Sequence, residues 1–176
     1  MEERLIKVGI THGDINGIGY EVILKTFSDA RVAELCTPII YGSSKIAAYH
    51  RKALELPPVN MNIISQAEDA GINRVNIINC VDDETKVELA QSTTIAGEAA
   101  FLSLEAAVAD LKRGAVDVLL TAPINKHNIQ NDQFHFPGHT EYLEERFGGV
   151  GRKALMILMK DNLRVALVTG HIPLSE

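Results

Sequence analysis

Four short segments of this chain carry side chains whose types and spacing suit them to chemistry. The first is Thr11-His12-Gly13-Asp14-Ile15-Asn16-Gly17-Ile18-Gly19. It lies between an apolar run and a segment of helical period. A turn of this kind leaves backbone N–H groups and the positive end of a helix facing an anion. Asp14, Asn16 and Gly17 are therefore candidate ligand-turn residues, with Glu21 adding polar reach. The glycine spacing is not the GxGxxG of a dinucleotide turn, and no Lys-Ser/Thr pair follows as in a P-loop. The plainer alternative is a tight turn that lets a helix pack closely on a sheet.

The second segment is Thr121-Ala122-Pro123-Ile124-Asn125-Lys126, at the end of an apolar run. Lys126 is the candidate catalytic or phosphate-binding cation, against the plain reading of a solvated surface lysine. The third is Pro137-Gly138-His139-Thr140-Glu141, where His139 sits before a helix start and Thr140 is the expected cap. The fourth is Gly170-His171-Ile172-Pro173, in which a strand end and a proline hold His171 stiffly. One histidine cannot hold a catalytic metal, because three protein ligands are the usual minimum. A lone histidine is more often structural than ligating, and no HExxH or paired-His spacing occurs, so if His171 is a ligand its partners come from elsewhere.

All four segments fall at strand ends, so the elements that position them matter. Leu5 to Thr11 reads as a buried strand, Ile18 to Ser28 as a helix, and Thr37 to Tyr41 as a second strand. Ser43 or Ser44 caps a helix to about Leu54. Asn62 to Ser65 and Arg74 to Asn79 are short β-like pieces. The longest helix runs from about Ala96 to Lys112 and ends at Gly114. Val116 to Thr121 is a strand broken at Pro123, and Lys126 to Gln130 reads as a short helix. Thr140 to Phe147 is a further helix, and Ala154 to Met159 and Arg164 to Thr169 form two strands around a Lys160-Asp161-Asn162 turn. This alternation predicts an α/β fold with a mostly parallel sheet. Open sheets of that kind bind ligands beyond the carboxyl ends of their strands. A domain boundary is expected near residue 125, giving 1–125 and 126–176.

Composition narrows the function classes. The 176 residues are 46% hydrophobic and 23% charged, near the globular average. A net charge of -6 without any basic block argues against a nucleic-acid or anionic-membrane surface. Cys36 and Cys80 show no CxxC spacing, so reduced buried thiols are expected. The start lacks a signal-peptide layout. No apolar run approaches the roughly 20 residues of a membrane span. A cytoplasmic location is the expectation.

Taken in order, the four segments resemble the 4-hydroxythreonine-4-phosphate dehydrogenase family of vitamin B6 biosynthesis. Thr11 to Gly19 is similar to the family's first-strand signature, although Asp14 and Asn16 differ from the Glu and Ala common in some members. Thr121 to Lys126 is similar to its Thr-Gly-Pro-x-x-Lys segment, with Ala122 for Gly. Gly138-His139-Thr140-Glu141 fits its Gly-His-Thr-Glu motif. Val168 to Leu174 is similar to its Thr-Thr-His-x-Pro-Leu motif, with Gly170 for the second Thr. The likeness runs from about Lys7 to Leu174.

The resemblance implies a three-layer α/β/α architecture of the isocitrate/isopropylmalate-dehydrogenase-like kind, which binds NAD without a Rossmann turn. It implies oxidation of 4-phosphooxy-L-threonine by NAD or NADP with a divalent metal (zinc, magnesium or cobalt). The product is a 3-oxo acid that decarboxylates to 3-amino-2-oxopropyl phosphate. His139 and Thr140 are then substrate-binding residues, and His171 is one of three metal histidines. Family members are homodimers with a shared active site, and they are considerably longer. This chain then corresponds to an N-terminal portion and is expected to be inactive and poorly behaved alone. Two alternatives stay open: a sister dehydrogenase for a phosphorylated sugar acid (threonate or erythronate 4-phosphate), and a non-catalytic binding or assembly fragment.

Overall fold

The computed structural model describes residues 5–149 and 151–169. The expected metal histidine, His171, lies outside these described residues. Two compact units are present, Met1–His135 and Phe136–Glu176.

The first unit is built on five parallel strands: β1 (Lys7–Thr11), β2 (Thr37–Gly42), β3 (Met61–Ile64), β4 (Val75–Asn79) and β5 (Val118–Thr121), in the order β3-β4-β2-β1-β5. In register, Gly9 of β1 stands between Ile39 of β2 and Leu119 of β5. Successive residues of the inner strands face opposite sides of the sheet, and both sides are covered. Ile40 and Ile77 pack with Ile23 and Phe27 of α1 (Gly19–Phe27), on the side that α3 (Ser44–Ala53) also serves. Ile39 and Tyr41 pack with Ala107 of α4 (Thr94–Lys112) and with Val116 on the other side. This is the expected three-layer arrangement. A four-residue helix, α2 (Val32–Leu35), and a 3-10 turn at Ala67–Asp69 are additions the apolar periodicity does not reveal.

The long helices begin and end where local chemistry dictates. Ser43 Oγ accepts from Ile46 N at 3.3 Å to open α3, and Thr93 Oγ1 accepts from Ala96 N at 3.2 Å to open α4. Each such cap contributes about 1 kcal/mol. Gly114 takes the left-handed φ of 75° just past α4, a conformation that costs glycine little.

One buried side chain fastens the β3–β4 end of the sheet. Asn76 donates through Nδ2 to the carbonyls of Pro38, Gly71 and Arg74, and its Oδ1 accepts from Gly71 N and Asn62 Nδ2. At the opposite edge, Leu119 packs into the α4 side. Val118 and Leu120 point to the other face and are 45% and 53% exposed.

The 126–130 segment is not the short helix expected from its sequence. It is a hydrogen-bonded turn in which Asn125 Oδ1 accepts from the amides of His127 (3.0 Å) and Asn128 (3.4 Å). A side chain thus provides the bonds that a helix ladder would. The segment also belongs with the first unit rather than the second. Ile129 and Phe134 are fully buried, with Phe134 edge-on to Phe101 of α4 at 6.2 Å between ring centroids.

The second unit holds α5 (His139–Phe147) and an antiparallel hairpin of β6 (Ile157–Lys160) and β7 (Leu163–Ala166). Asp161 turns the hairpin with φ 50°. Gly138, not Thr140, occupies the cap position of α5, with Tyr142 N donating to its carbonyl at 3.3 Å. Phe136 meets the Tyr142 ring edge-on, and Arg146 lies over that ring at 5.8 Å.

Candidate active site at the carboxyl edge of the sheet

The Gly-rich turn, the approach to α4 and the segment after β5 all lie at the carboxyl ends of β1 and β5, and they are locked together. Gly13, with φ 69°, brings the turn so close to Pro123 that a Cβ would stand 2.2 Å from the Pro123 carbonyl oxygen. Asp14 N donates to that same oxygen at 2.9 Å. Gly19 is crowded in the same way, its Cβ position lying 1.9 Å from the His12 carbonyl oxygen. These glycines make room for the protein's own backbone. The turn is a close-packed joint between helix and sheet, and the space at Gly13 is filled rather than left as a cradle for a pyrophosphate.

Asp14 and Asn16 are both buried and both bonded within the fold. Asp14 Oδ1 accepts from Asn16 N at 2.8 Å, and Oδ2 accepts from Asn128 Nδ2 at 3.3 Å. Asn16 Nδ2 donates to the Gln91 carbonyl and to Thr93 Oγ1, while its Oδ1 accepts from Glu88 N at 2.7 Å. The polar reach expected of these two side chains goes into the chain itself. Gly17 and Ile18 are the exposed members of the turn. Glu21 pairs with Lys25 one helical turn on.

Beneath the turn lies a stack of three rings. His12 lies 5.1 Å from Tyr20, and Tyr20 lies 5.2 Å from His50, both nearly parallel. Each imidazole donates to a carbonyl of the turn: His12 Nδ1 to Gly13 at 2.7 Å and His50 Nε2 to Ile15 at 2.8 Å. A carbonyl only accepts, so the proton of neutral His12 sits on Nδ1. Its Nε2 is then a buried lone pair, without a partner among the described residues. Burial lowers the His12 pKa from 6.5 to about 4, against the bond to Gly13, which favours the cation; His50 adds a smaller downward push. Burial likewise depresses His50 and raises Tyr20. The Tyr20 hydroxyl accepts from Ser43 N at 3.0 Å and leaves no room for a side chain at Gly42. Cys80, half-buried nearby, has its thiol pushed up to about 12 by desolvation.

Lys126 and His127 are exposed on the turn after β5, whose flanks are fixed. Asn125 Nδ2 donates to Ser92 Oγ at 3.1 Å, and Gly97 of α4 admits the Asn128 backbone so closely that a Cβ would meet its oxygen at 1.8 Å. In the second unit His139 opens α5 half-buried, and Thr140 follows it, exposed. The structure thus joins the Asp14–Gly17 turn to the Lys126 loop, and it places His139 and Thr140 side by side. Residues that the sequence reading passed over are Asn125, Asn128 and the His12–Tyr20–His50 stack. Only the Asn-x-x-Asn spacing after Pro123 signals a turn in advance. Among the described residues no three His, Cys, Asp or Glu side chains gather as a metal site requires. No described helix is long and apolar enough to cross a membrane.

Comparison with known proteins gives this arrangement its context. Residues 34–176 match the family model of the pyridoxal phosphate biosynthetic protein PdxA. A 4-hydroxythreonine-4-phosphate dehydrogenase of Bacteroides thetaiotaomicron is 60% identical over the whole of this chain, which covers 48% of that protein. A protein of Clostridium botulinum, named provisionally as a D-threonate 4-phosphate dehydrogenase, is 32% identical, with coverage of 96% and 51% respectively. The crystal structure of a 4-hydroxythreonine-4-phosphate dehydrogenase from Burkholderia phymatum superposes with a TM-score of 0.84 at 30% identity, over 97% of this chain and 52% of that one. The chain spans about half the length of the curated relatives it matches.

Proposed function

The chain belongs to the family of the pyridoxal phosphate biosynthetic protein PdxA, and from that premise we propose that, in a protein of the relatives' length, it forms the front half of a 4-hydroxythreonine-4-phosphate dehydrogenase. The 60% identity to the Bacteroides thetaiotaomicron enzyme across every residue of the chain carries this reading. The reaction is oxidation of the secondary alcohol of 4-phosphooxy-L-threonine. Its carbinol hydride goes to NAD or NADP, and its hydroxyl proton to base. The resulting 3-oxo acid loses carbon dioxide to give 3-amino-2-oxopropyl phosphate.

A divalent metal would supply Lewis-acid polarisation of the alcohol oxygen, with His171 as one ligand. The described residues hold no ligand set for it, and the roles that follow belong to this chain's own side chains. Lys126, exposed on a turn fixed at both ends, donates to the substrate phosphate. His139 and Thr140, at the start of α5, orient the substrate by hydrogen bonds; fixed orientation of this kind removes entropy from the barrier. A homodimer with a shared active site completes the proposal.

The test is reduction of NAD or NADP by the full-length protein, followed at 4-phosphooxy-L-threonine and at D-threonate 4-phosphate, with zinc, magnesium or cobalt. Turnover of the first substrate in preference to the second is expected. The reverse preference would favour the threonate reading, which rests on the Clostridium botulinum relative. Absence of turnover with both would sink the dehydrogenase assignment. Unchanged kcat and KM in Lys126→Ala would remove Lys126 from the site.

A further inference from the structure

Asp14 lies at the carboxyl end of β1, and Lys126 lies more than a hundred residues away in sequence at the carboxyl end of β5. Asp14 is 8% exposed, so it has little access to a dissolved ligand. Its two carboxylate oxygens instead serve two segments: the Asn16 amide of its own turn at 2.8 Å, and the Asn128 side-chain amide at 3.3 Å. Asn128 is two residues from Lys126, inside the one turn that carries it. The Asn128 amide and the Ile129 amide are both held by Asn125, at 3.4 Å to its side chain and 3.2 Å to its carbonyl. The backbone of the turn is pressed against Gly97 on its other side. Lys126 is consequently the free end of a turn whose base is bolted to Asp14, Ser92 and Gly97.

We infer that Asp14 is a positioning residue: through Asn128 its carboxylate fixes the turn that presents Lys126 to the phosphorylated substrate. The inference rests on the proposed function for the role of Lys126, and the bond between Asp14 and Asn128 gives it its route. The Asn128 amide uses its nitrogen on Asp14, while its Oδ1 is buried without a partner among the described residues. The pair therefore accepts inversion. With Asp14→Asn and Asn128→Asp together, an amide at position 14 keeps an acceptor for the Asn16 amide and donates to a carboxylate at 128. Asn128→Asp alone sets two carboxylates against each other. Rescue by inversion assigns the effect to this contact, and a KM that rises while the melting temperature holds separates positioning of Lys126 from a loss of global stability.

The experiment is steady-state kinetics on the full-length enzyme with 4-phosphooxy-L-threonine, alongside thermal melting of each variant. The variants are Lys126→Ala, Asp14→Ala, Asn128→Asp, the inverted pair Asp14→Asn/Asn128→Asp, and Asp14→Ala/Lys126→Ala. The expected result is a rise in KM of about tenfold or more in Asn128→Asp, the scale of one lost charge-assisted contact. Recovery toward the parent value is expected in the inverted pair. Asp14→Ala should add little on top of Lys126→Ala, because residues acting as one unit are not additive. Full multiplication of the two losses, or no recovery in the inverted pair, would overturn the inference. Where Asp14→Ala fails to fold, the inverted pair against Asn128→Asp decides. Unimpaired Lys126→Ala would bring down the phosphate role of Lys126 and with it this use of Asp14. An impaired Lys126→Ala beside an unimpaired Asn128→Asp would bring down the Asp14 route alone.

Discussion

Acidification should weaken this fold through His12 before it affects the carboxylates. The His12 ring is fully buried, stacked on Tyr20, and neutral with its proton on Nδ1. Its folded-state pKa is about 4 against 6.5 for the free side chain. The unfolded chain therefore binds the extra proton between those two values and the folded chain does not. Stability from this group is complete above pH 6.5, falls as the pH drops through the window to about 4, and is flat below it. At 1.36 kcal/mol per unit, the window corresponds to a loss of about 3 kcal/mol. That is a large share of the roughly 5–15 kcal/mol that holds an ordinary domain together. His50, depressed by burial as well, acts in the same direction. Asp29, held down to about 2 by Arg31, loses its bond only at lower pH, as the pH falls through its folded value, so the two effects separate. The assay is urea unfolding at fixed protein concentration from pH 7.5 to 4.5, for the parent and for His12→Phe. Phenylalanine keeps a ring against Tyr20 and cannot titrate. It gives up the bond to the Gly13 carbonyl, a cost of about 1–3 kcal/mol at every pH. The parent should lose stability steeply across the window, and the variant should start lower with a much shallower slope. A parent midpoint that stays level down to pH 4.5, or a variant with the parent's full slope, would refute the assignment of the acid response to His12.

Three further outcomes are expected. Asn76→Leu removes five hydrogen bonds around one buried side chain and leaves the 71–74 loop carbonyls without donors, so the urea midpoint should fall by the equivalent of about 2–4 kcal/mol; an unchanged midpoint would contradict the role given to it. Gly97→Ala places a methyl 1.8 Å from the Asn128 oxygen, and overpacking of that kind costs about 1–3 kcal/mol, with faster amide exchange across 125–129 as the local readout; protection at the parent level would argue against that contact. Iodoacetamide at pH 8 should modify Cys36 well before Cys80, because desolvation raises both thiols but pushes that of Cys80 up to about 12 and the thiolate is the nucleophile; equal rates by mass spectrometry would count against the stronger desolvation of Cys80.

Much of the frame was legible because it depends on local pattern. The apolar run before Thr11, the run from Thr37 to Tyr41, and Gly114 after an Ala-rich stretch give strands and a helix end to within a few residues. The sequence of the Lys126 segment suggests a helix where the chain forms a turn, because the ordering comes from the Asn125 side chain, which no periodicity displays. The candidate site shows the deeper limit. Asp14 and Asn16 sit in a Gly-rich turn and read as ligand-facing. Their partners, Asn128, Gln91 and Thr93, lie 75 to 114 residues away, and nothing local announces them. The His12–Tyr20–His50 stack is hidden for the same reason, since it exists only once α1 and α3 pack beside β1.

The strand order has a consequence for synthesis. β2, β4 and β3 stand to one side of β1, and their residues leave the ribosome first, the last of them at Asn79. β5 must pair with the other edge of β1 and ends only at Thr121. At roughly 5–20 residues per second, the sheet waits on the order of 2–8 s for its fifth strand. Through that interval the outer hydrogen-bonding edge of β1 is open, and the Gly13–Pro123 joint cannot close before Pro123 follows β5. The nascent chain is most in need of a chaperone's cover in that interval. A ribosomal pause placed after residue 80 would lengthen it, whereas one placed after Thr121 has cleared the tunnel would not.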